Sequence, residues 1–290
     1  MQHLVCWWST LSPSTRMVLI NDSLFMLGFL KRWLKIDEKR SEETIFREEW
    51  RGILRRNVFY YHILPPDQQA RLEQLVISFL SEKSFEGAGG LRVTDEMCVT
   101  IAAQACILVL KREGEIYPGL RTIILYPAAF VSETRRYDGG VMHEGRQVRL
   151  GESWDRGILI LSWSDSLRGG LVGGDGSNLV FHEFAHQLDN EWLFGTGVPD
   201  LGKKELYERW SRVMNREFEE HVRRVSSGEP TVIHPYGATN PAEFFAVLTE
   251  LFFEQPHQLQ RAHIEAYQLL KEYYRQDPAL LFPEESEPFM

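Results

Sequence analysis

Apolar residues recur at helical spacing over most of the chain, and strand-like runs are confined to its middle. In residues 65–83, apolar side chains fall at i, i+3, i+4, i+7 and i+8 behind two prolines, which predicts an amphipathic helix. Residues 94–110 begin with Thr94 as a predicted N-cap and are apolar nearly all round, which predicts a buried helix. Further helices are predicted over 41–57 (with Ser41 as N-cap), 177–190, 203–225, 240–254 and 256–276.

The middle of the chain predicts a small sheet. The runs 121–127, 145–150 and 157–163 are apolar or alternating and are bounded by turn formers, which is typical of strands. Residues 151–156 are predicted to be a turn, and the five glycines of 168–178 predict a loop. Helices, then a small sheet, then helices, is an α+β pattern. The run 157–163 is either a sheet edge that pairs with an extended peptide or an internal strand.

Composition narrows the class of protein. A net charge of −9 argues against direct binding of nucleic acid. The three cysteines, Cys6, Cys98 and Cys106, form no C-x-x-C pair, so we expect reduced thiols in a cytoplasmic protein. No apolar run reaches the roughly 20 residues that a bilayer requires, so we expect no transmembrane segment.

The domain organisation is predicted to be simple. We expect residues 1–40 to form a poorly packed N-terminal arm and residues 41–278 to form a single domain. Residues 279–290 are predicted to be an acidic C-terminal tail.

The segment 178–191, NLVFHEFAHQLDNE, contains the His-Glu-x-x-His pattern of a helical zinc site. Because His182 and His186 are four residues apart on a helix, both imidazoles can reach one ion. Glu183 is then placed to take a proton from a water on the metal. The alternative is that the two histidines are packed on the helix by chance and that Glu183 faces solvent.

A catalytic zinc commonly takes three protein ligands, and this segment provides two. The H-x-x-G-x-x-H spacing, which adds a third histidine, is absent, because the corresponding residue is Trp192. Asp189 lies on the same helix and suits an outer-shell hydrogen bond better than ligation. The downstream candidates are Asp189, Glu191, His221, His234, Glu243 and Glu250.

Glu243 is the candidate with the most defined surroundings. Asn240 and Pro241 predict the start of a helix, which places Glu243 at position N3. It is either the third ligand or half of a capping box with Asn240. Glu250, two turns on, is either an outer-shell partner of a ligand histidine or an ordinary solvated glutamate. Tyr236, seven residues before Glu243, either stabilises an oxyanion or packs its ring on the core.

The segments NLVFHEFAHQLD and YGATNPAEFFAVLTELFF resemble the Mlc titration factor A (MtfA) family of bacterial zinc peptidases, relatives of the catalytic domain of anthrax lethal factor. The resemblance covers roughly residues 60–275. It implies an α+β, mostly helical, zincin-like (gluzincin) metallopeptidase domain with a small mixed sheet beside the active-site helix. It also implies one Zn²⁺ per chain. A thermolysin-type site would have an acid four residues after the ligand glutamate, where this chain has Val247.

The resemblance also implies roles for individual residues. His182, His186 and Glu243 match the family's zinc ligands, Glu183 matches its catalytic base, and Tyr236 matches its active-site tyrosine. The expected function is a zinc-dependent peptidase, with aminopeptidase-type action as one form and a peptide or protein as substrate. Because the family's namesake is a partner of a glucose-responsive repressor, the alternative is a non-enzymatic protein that sequesters a transcriptional regulator.

Overall fold

The structure is a computed structural model that describes residues 46–128, 130–138, 141–149, 151–154, 157–191 and 195–283. The predicted arm 1–40, the cap at Ser41 and residues 284–290 of the predicted tail lie outside this part. The described residues, from Phe46 onward, fall into one compact unit.

Helices make up most of the described residues and were largely predicted by the apolar periodicity. The element bounds, in chain order, are α1 (Glu48–Asn57), α2 (Phe59–Ile63), α3 (Pro66–Glu82), β1 (Ser84–Gly87), α4 (Asp95–Leu108), β2 (Thr122–Tyr126), β3 (Phe130–Asp138), β4 (Val141–Arg149), β5 (Gly151–Trp154), β6 (Ile158–Ser162), α5 (Trp163–Leu171), α6 (Leu179–Asn190), α7 (Lys204–Ser226), α8 (Pro241–Glu254), α9 (Pro256–Ala262) and α10 (Ile264–Tyr274).

Three helical predictions need correction. The first described helix begins at Glu48, well inside the predicted range 41–57, because Phe46 and Arg47 precede it in non-helical backbone. The glycine-rich run 168–178 is helical up to Leu171, since α5 extends into it. The predicted helix 256–276 is two helices, because His263 has non-helical backbone between α9 and α10.

The sheet is small and mixed, with the strand order β1-β2-β6-β5. Strands β1, β2 and β6 are parallel, and β5 runs antiparallel to β6. Strands β3 and β4 form a separate antiparallel pair. The strand 157–163 is therefore internal, between β2 and β5, and the suggestion that it is a sheet edge is wrong. Residues 151–154, predicted as a turn, are strand β5.

The core surrounds α4, which explains why that helix is apolar nearly all round. Thr94 caps it by accepting a hydrogen bond from the Met97 amide, and α4 packs against α1, α3, α5 and α6. Strands β2 and β6 each bury alternate residues on one face, in agreement with their period of two. Helix α6 then packs against α8 on one side and against β5 and β6 on another. A small mixed sheet therefore lies beside the helix that carries the His-Glu-x-x-His segment.

Among the described residues, no helix combines the length and apolar character needed to cross a bilayer.

Two helical glycines provide a test of the packing around α4. In α5, a Cβ on Gly170 would lie 2.4 Å from the Asn57 carbonyl oxygen, whereas in α1 a Cβ on Gly52 meets only the end of the Arg56 side chain. We expect Gly170→Ala to lower the free energy of unfolding by about 1–3 kcal/mol through overpacking. Gly52→Ala should raise it by about 0.5–1 kcal/mol, because alanine costs less backbone entropy in a helix. Urea denaturation measures both changes, and equal changes of one sign would contradict the described packing.

Candidate metal centre

Helix α6 presents two histidines on one face because its start is sharply defined. Asn178 is the N-cap, and its Oδ1 accepts a hydrogen bond of 3.0 Å from the Phe181 amide. His182 and His186 follow one turn apart, and both side chains are partly buried. The helix predicted over 177–190 is therefore present as α6, and Asn178 is its cap.

Helix α8 brings the third donor. Asn240 is its N-cap, and its Oδ1 accepts a hydrogen bond of 3.0 Å from the Glu243 amide. The Glu243 carboxylate is not directed back along its own helix. It lies 3.0 Å from His182 Nε2 and 3.3 Å from His186 Nε2. Of the two roles considered for Glu243, the geometry therefore favours the ligand over the capping box.

The three donor atoms form a nearly equilateral triangle. The third side, between His182 Nε2 and His186 Nε2, is 3.2 Å long. A tetrahedral zinc ion with bonds of about 2.0–2.1 Å holds its ligand atoms about 3.3 Å apart. Within the described residues, His182, His186 and Glu243 are the group of side chains arranged to hold a metal ion. Two imidazole nitrogens and one carboxylate oxygen also match the donor types that zinc takes.

The three donor side chains are a set of coupled charges. Although burial alone would lower it, hydrogen bonds with Glu243 and Glu250 raise the pKa of His182 to about 10. Burial would raise the pKa of Glu243, but hydrogen bonds with His182 and His186 lower it far below its ordinary value. A metal ion therefore has to displace a proton from His182, and its affinity falls as the pH falls.

Glu183 lies beside the cluster and is not one of the three donors. Its side chain is buried, with 7% of the residue exposed, so the alternative in which it faces solvent is wrong. Burial raises the pKa of the Glu183 carboxyl, and the charges on His182 and His186 oppose the rise. A carboxylate with a raised pKa is a better proton acceptor than an ordinary glutamate.

Glu250 connects a candidate ligand to the helix start. One carboxylate oxygen lies 2.8 Å from His182 Nδ1, and the other accepts a hydrogen bond of 2.7 Å from the Asn178 amide. When the Nδ1–H group of His182 donates a hydrogen bond to Glu250, the Nε2 atom keeps its lone pair for a metal ion. Of the two roles considered for Glu250, the geometry favours the outer-shell partner.

Glu254 extends this network and was not identified from the sequence. It lies one turn after Glu250, is 2% exposed, and accepts hydrogen bonds from the Gly174 amide and the Asn178 side-chain amide. Burial raises the pKa of Glu254 to about 8, although both hydrogen bonds oppose the rise. The Gln255 side chain also donates a hydrogen bond to the Gly174 carbonyl, so both the amide and the carbonyl of Gly174 are bonded to side chains of this segment. The spacing of four between Glu250 and Glu254 was the available signal.

The other candidate ligands lie elsewhere. Asp189, expected to be an outer-shell partner, accepts hydrogen bonds from the Gly197 and Val198 amides. The remaining candidates take part in other contacts: Glu191 forms an ion pair with Arg112, and His221 bonds the carbonyl of His234, whose own ring accepts from the Tyr236 amide.

Tyr236 lies on a 3₁₀ turn (Pro235–Ala238) directly before α8. Its ring centroid is 6.0 Å from that of His182, and half of the residue surface is exposed. Burial lowers the pKa of His221, whose ring bonds the His234 carbonyl and so supports this turn. The structure therefore places Tyr236 at the mouth of the cluster, and the alternative in which it packs on the core is wrong.

Comparison with known proteins shows the family to which the chain belongs. The family model of the glucose-regulated metallo-peptidases M90 matches residues 31–275. An uncharacterised protein of Synechocystis sp., slr2042, is 41% identical over 265 residues, which are 91% of this chain and 96% of the relative. Mlc titration factor A of Serratia proteamaculans is 33% identical over 73% of this chain and 81% of its own length. Mlc titration factor A of Escherichia fergusonii is 32% identical over 78% and 85%, respectively.

The outer-shell contact of Glu250 can be tested through metal affinity. Glutamine has one acceptor oxygen, so Glu250→Gln loses one of the two hydrogen bonds that orient His182 and the start of α6. We expect zinc affinity to fall about 10–100-fold. Glu243→Ala, which removes a donor atom, should cost more. Competition with a chromophoric chelator measures both. Glu254→Gln is the matched control on the same helix and should cost less, since the hydrogen bonds of Glu254 go to Gly174 and Asn178 rather than to a candidate metal ligand. Wild-type affinity in Glu250→Gln would contradict the assigned role.

Proposed function

Since the chain belongs to the glucose-regulated metallo-peptidase M90 family, we propose that it is a zinc-dependent peptidase with a zincin-like fold. The observation that carries the proposal is the triangle of donor atoms from His182, His186 and Glu243, with sides of 3.0–3.3 Å. The buried carboxylate of Glu183 next to that triangle supports catalysis rather than a purely structural ion.

The metal would be held by the two imidazoles and the Glu243 carboxylate. When bound, zinc acidifies a water molecule and polarises the carbonyl of the scissile peptide bond. Glu183 accepts the proton of the attacking water and then delivers it to the leaving amine. Its buried position, with a raised pKa, suits a group that has to gain and lose a proton in one cycle. Glu250 keeps His182 oriented throughout by accepting a hydrogen bond from its Nδ1–H group.

Tyr236 is proposed to act on the carbonyl oxygen. Its turn lies at the mouth of the cluster, and its ring centroid is 6.0 Å from that of His182. A hydroxyl that donates to the developing oxyanion lowers the barrier through preorganised hydrogen bonding. Because half of the Tyr236 surface is exposed, a substrate can reach the ring without rearrangement of the core.

Strand β5 is the part of the sheet proposed to receive the substrate. Within the described strands it pairs with β6 alone, and it packs against α6. The free backbone edge of such a strand can hydrogen-bond an extended peptide. A peptide bound along β5 would run beside the helix that carries His182, His186 and Glu183.

Aminopeptidase-type action is the finer proposal, and it follows from the resemblance to the MtfA family. A peptide substrate with a free amino terminus should then be cleaved faster than its N-acetylated form. Equal rates on both forms would favour endopeptidase action.

Because two relatives carry the name Mlc titration factor A, a second candidate function is sequestration of a transcriptional regulator. In that case a Glu183→Gln protein would still bind the regulator and complement a deletion.

The role of Glu183 predicts a loss of activity without a loss of metal. Glu183→Gln keeps the shape of the side chain and removes its capacity to accept a proton. We expect the kcat for peptide cleavage to fall at least about 100-fold. Zinc content, measured by atomic emission, should stay at one ion per chain. Glu191→Gln, which removes a carboxylate at the end of the same helix, is the control. Full activity in Glu183→Gln would refute the mechanism.

The role of Tyr236 predicts a different kinetic signature. Tyr236→Phe removes the hydroxyl and leaves the ring, so we expect kcat to fall about 100-fold while KM changes little. Zinc affinity should be unchanged, since the hydroxyl is not among the three donors. Tyr207→Phe, which removes a hydroxyl that bonds Asp200 in another loop, is the matched control. A change in KM alone would indicate substrate binding rather than oxyanion stabilisation.

A further inference from the structure

The loop between α6 and α7 makes a close backbone contact with the start of α8. Gly197, in this loop, is buried and has a φ of +74°, a conformation that favours glycine. A Cβ on Gly197 would lie 2.3 Å from the Pro241 carbonyl oxygen and 2.7 Å from its carbon. The loop backbone therefore rests directly on the first turn of α8, with no side chain between them.

Two hydrogen-bonding side chains hold Gly197 in this place. Asp189, fully buried on α6, accepts a hydrogen bond of 2.9 Å from the Gly197 amide and one of 3.0 Å from the Val198 amide. Trp210, buried on α7, donates its indole N–H to the Gly197 carbonyl at 3.1 Å. Both backbone polar groups of Gly197 are thus bonded to side chains from neighbouring helices.

The contact links the two halves of the candidate metal site. Asp189 lies one turn after His186 on α6, and Pro241 lies two residues before Glu243 on α8. A displacement of the first turn of α8 therefore moves the Glu243 carboxylate relative to the two imidazoles. Metal sites tolerate errors of only about 0.2 Å in bond length.

We propose that Asp189 and Gly197 are positioning residues that set the distance between Glu243 and the two histidines. Through them, helix α6 determines where α8 begins. This inference rests on the proposed function, because it assumes that a zinc ion binds between Glu243 and the two histidines. It also assigns to Asp189 a role toward Glu243 instead of the expected hydrogen bond to a histidine.

The test compares two glycines of the same loop. Gly197 and Gly202 both have positive φ angles, +74° and +66°, but a Cβ on Gly202 meets nothing within 4 Å. Substitution by alanine therefore adds the same kind of backbone strain at both sites. Only Gly197→Ala forces the loop and the α8 turn apart, by about 1 Å. We expect Gly197→Ala to weaken zinc binding at least tenfold, and Gly202→Ala to stay within twofold of the wild type.

The readouts are the zinc dissociation constant, from chelator competition, and the visible spectrum of the Co²⁺-loaded protein. Both are recorded at a temperature where circular dichroism shows each variant folded. The spectrum should change in Gly197→Ala, because it reports the geometry of the donor atoms. Wild-type zinc affinity in Gly197→Ala overturns the inference and leaves the proposed function intact. Failure of the wild type to bind zinc overturns the proposed function instead.

If Gly197→Ala does not fold, Asp189→Asn takes its place. Asparagine keeps the shape of the side chain but replaces one acceptor oxygen with a donor, so one amide of the loop loses its partner. Zinc binding should weaken at least threefold. Asp200→Asn is the control, because Asp200 accepts hydrogen bonds from the Gly202 amide and from Tyr207 in the same loop. Equal zinc affinity in Asp189→Asn and Asp200→Asn would refute the inference.

Discussion

The contact between α6 and α8 is the constraint on which the candidate site depends. Two donor atoms come from one helix and the third from the other, and the three are 3.0–3.3 Å apart. Packed helices lie about 8–10 Å apart, so the side chains between them leave little room for adjustment. Several features stabilise this one contact: the caps at Asn178 and Asn240, the carboxylates of Glu250 and Glu254, and the loop at Gly197.

Buried carboxylates make that contact specific as well as close. Glu183, Glu250 and Glu254 lie in or beside the interface, where charged groups without partners would be costly. Glu250 and Glu254 both accept hydrogen bonds from N–H groups of the segment that precedes α6, at Gly174 and Asn178. The positive end of the helix dipole at this start also favours carboxylates. Apolar packing alone would permit the helices to slide, whereas these directed bonds fix their relative position.

Short-range sequence signals predicted most of the helices and the parts of the site that lie close together in sequence. The cap at Asn178 and the spacing of His182 and His186 are local features, and α6 follows them. The geometry at Glu243 also agrees with its selection as third donor. Strand β1 has four residues and exists through pairing with the distant strand β2, so no local pattern reveals it. Strand β5 also has four residues, and its turn-forming sequence hides its pairing with β6, the next strand of the chain. The contact between Gly197 and Pro241 likewise joins residues that no spacing rule connects.

The two asparagine caps explain how such a site can be specified with few residues. A cap fixes the residue at which helical rotation begins, and each further residue turns by about 100°. His182 follows the cap of α6 by four residues, and Glu243 follows the cap of α8 by three. A start displaced by a single residue would rotate these side chains away from one another. Because Glu250 and Glu254 both bond Asn178, helix α8 itself fixes the start of α6. The direction of the histidines and the packing of the two helices are therefore one property rather than two.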